Sequence, residues 1–216
     1  MGSGHKNTNP QRYGRRPFQT RSTLPIVTVV CDDTKTAVAY FNEFKRQVKA
    51  RITVKVEPAP RCGASPDDVL KVATELARTL APKEEGDSIW TLLDTEAEEY
   101  KQEHAHRAKR RADETLVHVL LSKPCYEVWT LAHFIDTGEA FSDCNAVVAR
   151  VKAEWKKRFG TGFGSKKGQA DYAKLMPLRT EAVKNAKKRA PDRDSSWTEV
   201  HKVVEAILAL CMDQTK

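Results

Sequence analysis

A continuous run of mostly β-branched residues, Ile26 to Cys31 (IVTVVC), most constrains the fold of this chain. Apart from Thr28 the run has no polar alternation, which is typical of a parallel strand that is buried on both faces. Apolar positions then recur at helical spacing over residues 35–50, and alternation returns over 52–57. This order of strand, helix and strand predicts a mostly parallel sheet.

The same alternation continues as far as Pro124, beyond which the pattern changes to helices. The later predicted elements are helices over 66–80 and 97–112, strands over 88–94 and 115–122, and helices over 126–134, 143–159 and 172–189, with a last helix that Ser195 or Ser196 caps and that ends at Leu210. The predicted fold is therefore α/β, a mostly parallel sheet flanked by helices, with a helical C-terminal extension.

Three segments follow from this pattern. Residues 1–24 are basic and poor in aliphatic side chains, which predicts a flexible arm. Residues 25–135 form the predicted α/β core, and residues 136–216 form a basic helical C-terminal extension. A chain of 216 residues has room for one such domain with an appended lobe.

The formal net charge of +8 is unevenly distributed. The arm carries five bases and no acid, residues 25–149 carry sixteen bases and twenty-one acids, and residues 150–193 carry fourteen bases and four acids. An acidic centre between basic flanks suits a metal-dependent enzyme that acts on a polyanion, because carboxylates hold the cation and bases hold phosphates. The alternative interpretation is that the basic runs are solvated helix faces.

Other classes of protein are disfavoured. The five cysteines (Cys31, Cys62, Cys125, Cys144 and Cys211) are scattered without a CxxC pair, which argues against a disulfide framework and against a structural zinc site. No apolar run approaches the roughly 20 residues needed to cross a bilayer. We therefore expect a cytoplasmic protein with no membrane partner. The oligomeric state stays open.

Acidic residues follow two of the predicted strands. Asp32 and Asp33 come directly after the first strand, while Asp94 ends the third and Glu96 lies two residues later. In an open parallel sheet, ligand-binding groups gather outside the carboxyl ends of the strands, so these acids are expected to converge. Carboxylate oxygens suit Mg²⁺, which in turn suits phosphate chemistry.

Three blocks of residues, in this order, resemble the RloB-like family. Residues 31–36 (CDDTKT) are similar to its C-E-G-E-K-T turn after a strand, and residues 89–96 (IWTLLDTE) to its strand that ends in D-x-D or D-x-E. Residues 122–134 (SKPCYEVWTLAHF) are similar to its S-N-P-C-F-E-L-W-x-L-x-H-F block, which is the longest match. The likeness spans nearly the full length and is looser in the C-terminal half.

The resemblance implies a Toprim-like sheet and a nuclease dependent on Mg²⁺, or Mn²⁺, that acts on RNA (tRNA among the options) or DNA in bacterial anti-phage defence and abortive infection. It implies that Asp32, Asp94, Glu96 and Glu127 line the metal site. An RloA-like ATPase partner is also implied. This sequence has Asp32 where the family favours Glu, Asp33 in place of the following Gly, and Ala37 in place of an acid.

Several further side chains have two interpretations. Glu127 is either a site residue or an acid favoured by a helix N-terminus, and Lys35 either neutralises phosphate charge or is an exposed first-turn lysine. We expect His133 and Cys125 to be packed core residues rather than catalytic ones.

The candidate nucleic-acid contacts are Arg15, Arg16, Lys156, Lys157, Lys166 and Lys167. The last two lie in a glycine-rich loop, GTGFGSKKG, that lacks P-loop spacing.

Two other functions stay open beside the nuclease. The departures at Asp32, Asp33 and Ala37 are compatible with a nucleic-acid-binding module whose metal site has decayed. The chain could instead be an interaction subunit that a partner ATPase holds and releases.

Overall fold

A computed structural model describes most of the chain. The described residues are 24–61, 64–80, 86–96, 98–112, 115–136, 138–164, 169–189, 191 and 194–213. Within them, no helix is long and apolar enough to cross a membrane.

The architecture is α/β, as predicted. The strands are β1 (Ile26–Cys31), β2 (Thr53–Glu57), β3 (Ser88–Asp94), β4 (Val117–Lys123) and β5 (Trp197–Thr198). The helices are α1 (Thr36–Val48), α2 (Pro66–Leu80), α3 (Glu99–Ala112), α4 (Glu127–Ala132), α5 (Cys144–Phe159), α6 (Arg179–Lys187) and α7 (His201–Asp213), with a 3-10 helix over Tyr172–Leu178.

The five strands form one sheet in the order β2-β1-β3-β4-β5. The first four are parallel, and β5 pairs antiparallel with β4 at the edge. The mostly parallel sheet with flanking helices that the sequence predicts is therefore confirmed, and this arrangement is compatible with a Toprim-like fold.

Helices cover both faces of the sheet because β1 is apolar on both. Val27 and Val29 point into a large core cluster built with α1 and the C-terminal helices. Val30 points into a second cluster, which is built with α2 and α3. In the second cluster α3 contributes only Ala105, Ala108 and Ala112. Small side chains allow this otherwise polar helix to lie close to the sheet.

Two elements near the C-terminus differ from the sequence-based expectation. The single helix expected over 172–189 is divided into the 3-10 helix and α6, and Pro177, which has no amide hydrogen to donate, lies at the division. The expected cap at Ser195 or Ser196 is wrong, since α7 begins at His201. Ser196 instead precedes β5 and its hydroxyl accepts a hydrogen bond from the Phe141 amide.

The segment after β5 is held by a buried carboxylate. Glu199 is almost fully buried, and its Oε2 accepts hydrogen bonds from the Leu121 amide (3.0 Å) and from Lys109, while Oε1 accepts one from Lys202 (2.6 Å). Burial opposes ionisation of this group, but the bonds from the two lysines outweigh that effect and lower the pKa of Glu199. The ionised carboxylate therefore connects α3, β4 and the start of α7.

Candidate functional site

Asp32 and Asp94 are neighbours at the carboxyl edge of the sheet. Their strands are adjacent and parallel, with Cys31 in register with Leu92. The backbone amide of Asp94 donates a 2.6 Å hydrogen bond to Asp32 Oδ2. The convergence expected from the two strand ends is therefore present in the fold.

A pocket of about 380 Å³ lies at this edge. The carboxylates that line it are Asp32, Asp33, Asp94 and Glu96, and they are joined by Lys101, His104, Ala64, Pro66 and Leu93. The pocket therefore contains Asp32, Asp94 and Glu96, which are three of the four acids predicted to bind the metal. It also contains Asp33.

Asp33 orients the start of α1. Its Oδ2 accepts hydrogen bonds from the amides of Thr36 (2.6 Å) and Ala37 (3.3 Å), which is the arrangement of a helix cap. Its Oδ1 is buried and has no hydrogen-bond partner among the described residues. One carboxylate oxygen is therefore committed to the helix, and the other keeps its capacity to accept a ligand.

Glu127 lies beneath the pocket rather than on its wall. It is the first residue of α4, is 3% exposed, and its Oε1 accepts a 3.2 Å hydrogen bond from Thr36 Oγ1. The preceding amide, that of Tyr126, donates a 2.7 Å bond to Asp94 Oδ1. Glu127 therefore begins a helix and lies close to Asp32 and Asp94, and its role as a site residue stays a prediction.

The acids of this site repel one another and are largely shielded from water. Burial, with added repulsion from Asp33 and Glu127, raises the pKa of Asp32 to about 7, although hydrogen bonds from backbone amides act in the opposite direction. Burial, followed by the charges of Asp32 and Glu127, raises the pKa of Asp94 well above its usual range. Such groups bind a cation readily, because its charge offsets both costs.

Glu96 differs from the other acids because its side chain is about half exposed. Its backbone has φ of 59°, and its amide donates a 2.9 Å hydrogen bond to the Pro124 carbonyl. The side chain points outward, with its Oε2 3.9 Å from Lys101 Nζ. Glu96 therefore lies at the outer rim of this pocket.

The structure describes only some of the basic residues that were predicted to contact phosphate. Lys35 is exposed at the start of α1, and it is not among the residues that line the pocket. Lys156 and Lys157 are exposed in the last turn of α5. Four other candidates, Arg15, Arg16, Lys166 and Lys167, lie outside the described residues. The roles assigned to all of them stay predictions.

Lys101, His104 and Thr36 were not predicted from the sequence to belong to the site. Lys101 and His104 lie three residues apart on α3, which begins just after the acidic motif, so both reach the same pocket. That spacing is a signal in the sequence that could have identified them. The contact of Thr36 with Glu127 has no such signal, because the two residues are 91 positions apart.

His133 is a buried core residue, as expected. Its Nδ1 lies 2.9 Å from the Trp129 carbonyl oxygen, which can only accept a hydrogen bond, so Nδ1 carries the proton. Its Nε2 then accepts a bond from the Tyr40 hydroxyl at 3.3 Å. Burial lowers the pKa of His133 to about 4, which keeps the ring neutral.

Cys125 and Cys144 are paired as a disulfide, with Cα atoms 5.8 Å apart. This bond was not predicted, because the scattered cysteines had argued against a disulfide framework. Cys125 is nevertheless fully buried, as expected for a packed residue. The pairing has no sequence signature, since 19 positions separate the two residues and only folding brings α5 beside α4.

No curated protein and no solved structure matches this chain at a significant level. A family model described as RloB-like protein matches residues 27–207. The matched region runs from the second residue of β1 past β5, and it contains all the residues that line the acidic pocket as well as Glu127. The chain therefore belongs to the RloB-like protein family.

Proposed function

We propose that this protein is a divalent-metal-dependent nuclease of the Toprim type. The observation that carries the proposal is the group of acids at one sheet edge, where Asp32, Asp33 and Asp94 share a pocket and Glu127 lies buried behind them. The raised pKa values of Asp32 and Asp94 and the buried Oδ1 of Asp33 fit a site that takes up a cation.

Asp32, Asp94 and Glu96 are the proposed ligands of Mg²⁺ or Mn²⁺, with Glu127 close to the same charge. A bound ion of this kind supplies charge neutralisation for a phosphodiester in its transition state. The protein's own groups do the positioning: the amide of Asp94 holds Asp32, and the amide of Tyr126 holds Asp94. Fixed carboxylates avoid the reorganisation that mobile ligands would require.

Basic side chains near the pocket provide the phosphate contacts in this proposal. Lys101 and His104 line the pocket itself. Lys156 and Lys157 are exposed further away on α5, and they contribute affinity that does not depend on base sequence. Lys35 stays a proposed phosphate contact at the start of α1.

A second and larger cleft offers room for a substrate strand beside the acids. Its volume is about 1060 Å³, and it begins at Thr95, between Asp94 and Glu96. Tyr100, which is largely exposed, and Lys123 line it together with Trp197. An exposed ring can stack on a base, and stacking of this kind tolerates any sequence.

The biological setting of the proposal follows the family resemblance. In it the chain is an effector of bacterial anti-phage defence in the cytoplasm, and an RloA-like ATPase is its partner. Co-purification of the two proteins with ATP, with ADP and without nucleotide tests the partner. A partner that binds equally in all three conditions would contradict nucleotide-controlled holding of this chain.

The experiment that tests the activity is incubation of the purified protein with total tRNA and with plasmid DNA, in Mg²⁺, Mn²⁺ or EDTA. Cleavage that requires the divalent ion is the expected result, and the substrate cut identifies RNA or DNA. Binding without cleavage under every condition would overturn the nuclease and support the degraded binding module. Cleavage that persists in EDTA would also overturn the proposed metal site.

A further inference from the structure

Next to the acidic pocket lies a second group of possible ligands with different chemistry. The carboxylate of Asp94 and the sulfurs of Cys125 and Cys144 come within 4.8 Å of one another. The three residues belong to separate parts of the fold: Asp94 ends β3, Cys125 lies between β4 and α4, and Cys144 begins α5. We propose that, when the two cysteines are reduced, these three residues bind a thiophilic divalent cation of the Zn²⁺ class.

The donor set favours such an ion over Mg²⁺. Thiolate sulfur selects soft and borderline cations, whereas Mg²⁺ and Mn²⁺ prefer oxygen ligands. Two thiolates and one carboxylate make three protein ligands, and the fourth position of a tetrahedral ion is then open to water. Asp94 is already oriented by the Tyr126 amide, which leaves its other oxygen to serve as the ligand.

The backbone already has the spacing that this site requires. Zn–S bonds of about 2.3 Å in tetrahedral geometry place two sulfur ligands roughly 3.8 Å apart. The Cα atoms of Cys125 and Cys144 are 5.8 Å apart, so rotation of the two side chains provides that separation without movement of either backbone. The sulfur of Cys144 also lies in the first turn of α5, where the positive end of the helix dipole favours a thiolate.

The oxidation state of the pair decides whether the site exists. A disulfide leaves neither sulfur with the charge or the position of a metal ligand. Reduction by a phosphine consumes one water molecule, turns the phosphine into its oxide and yields two thiols. Each thiol then releases its proton to the solvent as its sulfur binds the cation.

Asp94 belongs to both this site and the proposed Mg²⁺ site. A thiophilic ion held at Asp94, Cys125 and Cys144 withdraws one carboxylate from the acidic pocket. It would therefore inhibit the Mg²⁺-dependent reaction, and this one consequence rests on the proposed function. Binding of the ion itself does not depend on any cleavage activity.

The test uses the full chain reduced with a phosphine, which competes little for metal, and then titrated with Co²⁺ and with Zn²⁺. We expect one equivalent of Co²⁺ to give thiolate charge-transfer absorption in the near ultraviolet, and Zn²⁺ to displace it. The oxidised protein should give no such band. Absence of the band in the reduced protein would overturn the proposal.

Variants identify the ligands without any activity assay. Cys144→Ser should weaken Zn²⁺ binding by about 100-fold or more, because even the groups that only support a ligand change affinity by about 10- to 100-fold. Asp94→Asn should keep the thiolate band but weaken binding. The matched control is Cys211→Ser, since Cys211 is a free cysteine on α7 away from the pocket. Equal binding by Cys144→Ser and Cys211→Ser would disprove the site, whether or not the protein is a nuclease.

Discussion

The amide of Asp94 donates a hydrogen bond to the carboxylate of Asp32, although 62 positions separate the two residues. This bond fixes the relative positions of the two acids that the proposed cation would share. A hydrogen bond to a backbone amide is independent of the Asp94 side chain. Substitution of that side chain therefore leaves Asp32 oriented, and the effect of losing one charge can be measured separately.

We predict that Asp94→Asn lowers metal-dependent cleavage by about 100-fold or more while the fold is retained. The amide oxygen of Asn can still accept the bond from Tyr126, but the charge that holds a hard cation is gone. Initial cleavage rates and thermal melting measure the two effects. Asp213→Asn, an exposed substitution at the end of α7, is the control. Wild-type rates in Asp94→Asn would exclude this acid as a ligand.

Divalent ions should stabilise the wild-type protein. The raised pKa of Asp94, which burial and the neighbouring acids cause, means that ionisation costs folding free energy until a cation offsets it. We expect Mg²⁺ or Mn²⁺ to raise the melting temperature relative to EDTA at pH 8, and expect a smaller rise in Asp94→Asn. An equal rise in the two proteins would indicate binding elsewhere.

The exposed lysines at the end of α5 should control affinity for nucleic acid. We predict that the double substitution Lys156→Gln, Lys157→Gln weakens binding at low salt and reduces the slope of log Kd against log salt by up to about 2, because each phosphate contact releases about one counterion. Fluorescence anisotropy at several salt concentrations measures both. The control pair is Lys71→Gln and Arg78→Gln, which are exposed on α2. The same slope in both double variants would identify the α5 lysines as solubilising residues.

The neutral state of His133 makes stability depend on pH. The pKa of His133 is lowered from 6.5 to about 4 by burial, so the unfolded chain binds a proton more readily than the folded one. The stability that depends on a neutral His133 is fully present above pH 6.5. It is lost as the pH falls toward 4, and the total loss at that pH is about 3 kcal/mol.

Urea unfolding between pH 7 and pH 4 tests this dependence. His133→Gln lacks the titrating ring and should lose less stability over that range than the wild type does. His118→Gln, on an exposed position of β4, should retain the wild-type dependence. Identical pH profiles for His133→Gln and the wild type would show that another group is responsible.

The buried carboxylate of Glu199 should stabilise the packing of α7 against the sheet. We predict that Glu199→Gln lowers the free energy of unfolding by about 1–3 kcal/mol, which is the range for a lost charge-assisted hydrogen bond to a buried group. Larger losses are not expected, since Lys109 and Lys202 are partly exposed and can turn to water. Urea unfolding measures the change, and Glu205→Gln, whose acid is more exposed, is the control. Equal stability of the two variants would contradict the proposed role.

The sequence by itself determined the sheet and the meeting of Asp32 and Asp94 in the candidate site. Strand and helix periods are local properties, so the run from Ile26 to Cys31 and the acids Asp32 and Asp94 at two strand ends were readable from neighbouring residues alone. Parallel strands that are adjacent in a sheet then require their carboxyl ends to meet. That rule explains why the convergence of these two acids could be predicted without coordinates.

Only the tertiary structure decided the remaining contacts. Thr36 with Glu127, Lys109 with Glu199, and Cys125 with Cys144 join residues that are 91, 90 and 19 positions apart. Such pairs depend on how helices pack on the two faces of the sheet, which no local period encodes. The two-residue strand β5 was missed for the same reason, because it exists only through pairing with Ser122 and Lys123 on β4. Packing, rather than local pattern, therefore fixes both the buried acid behind the pocket and the cysteine pair beside it.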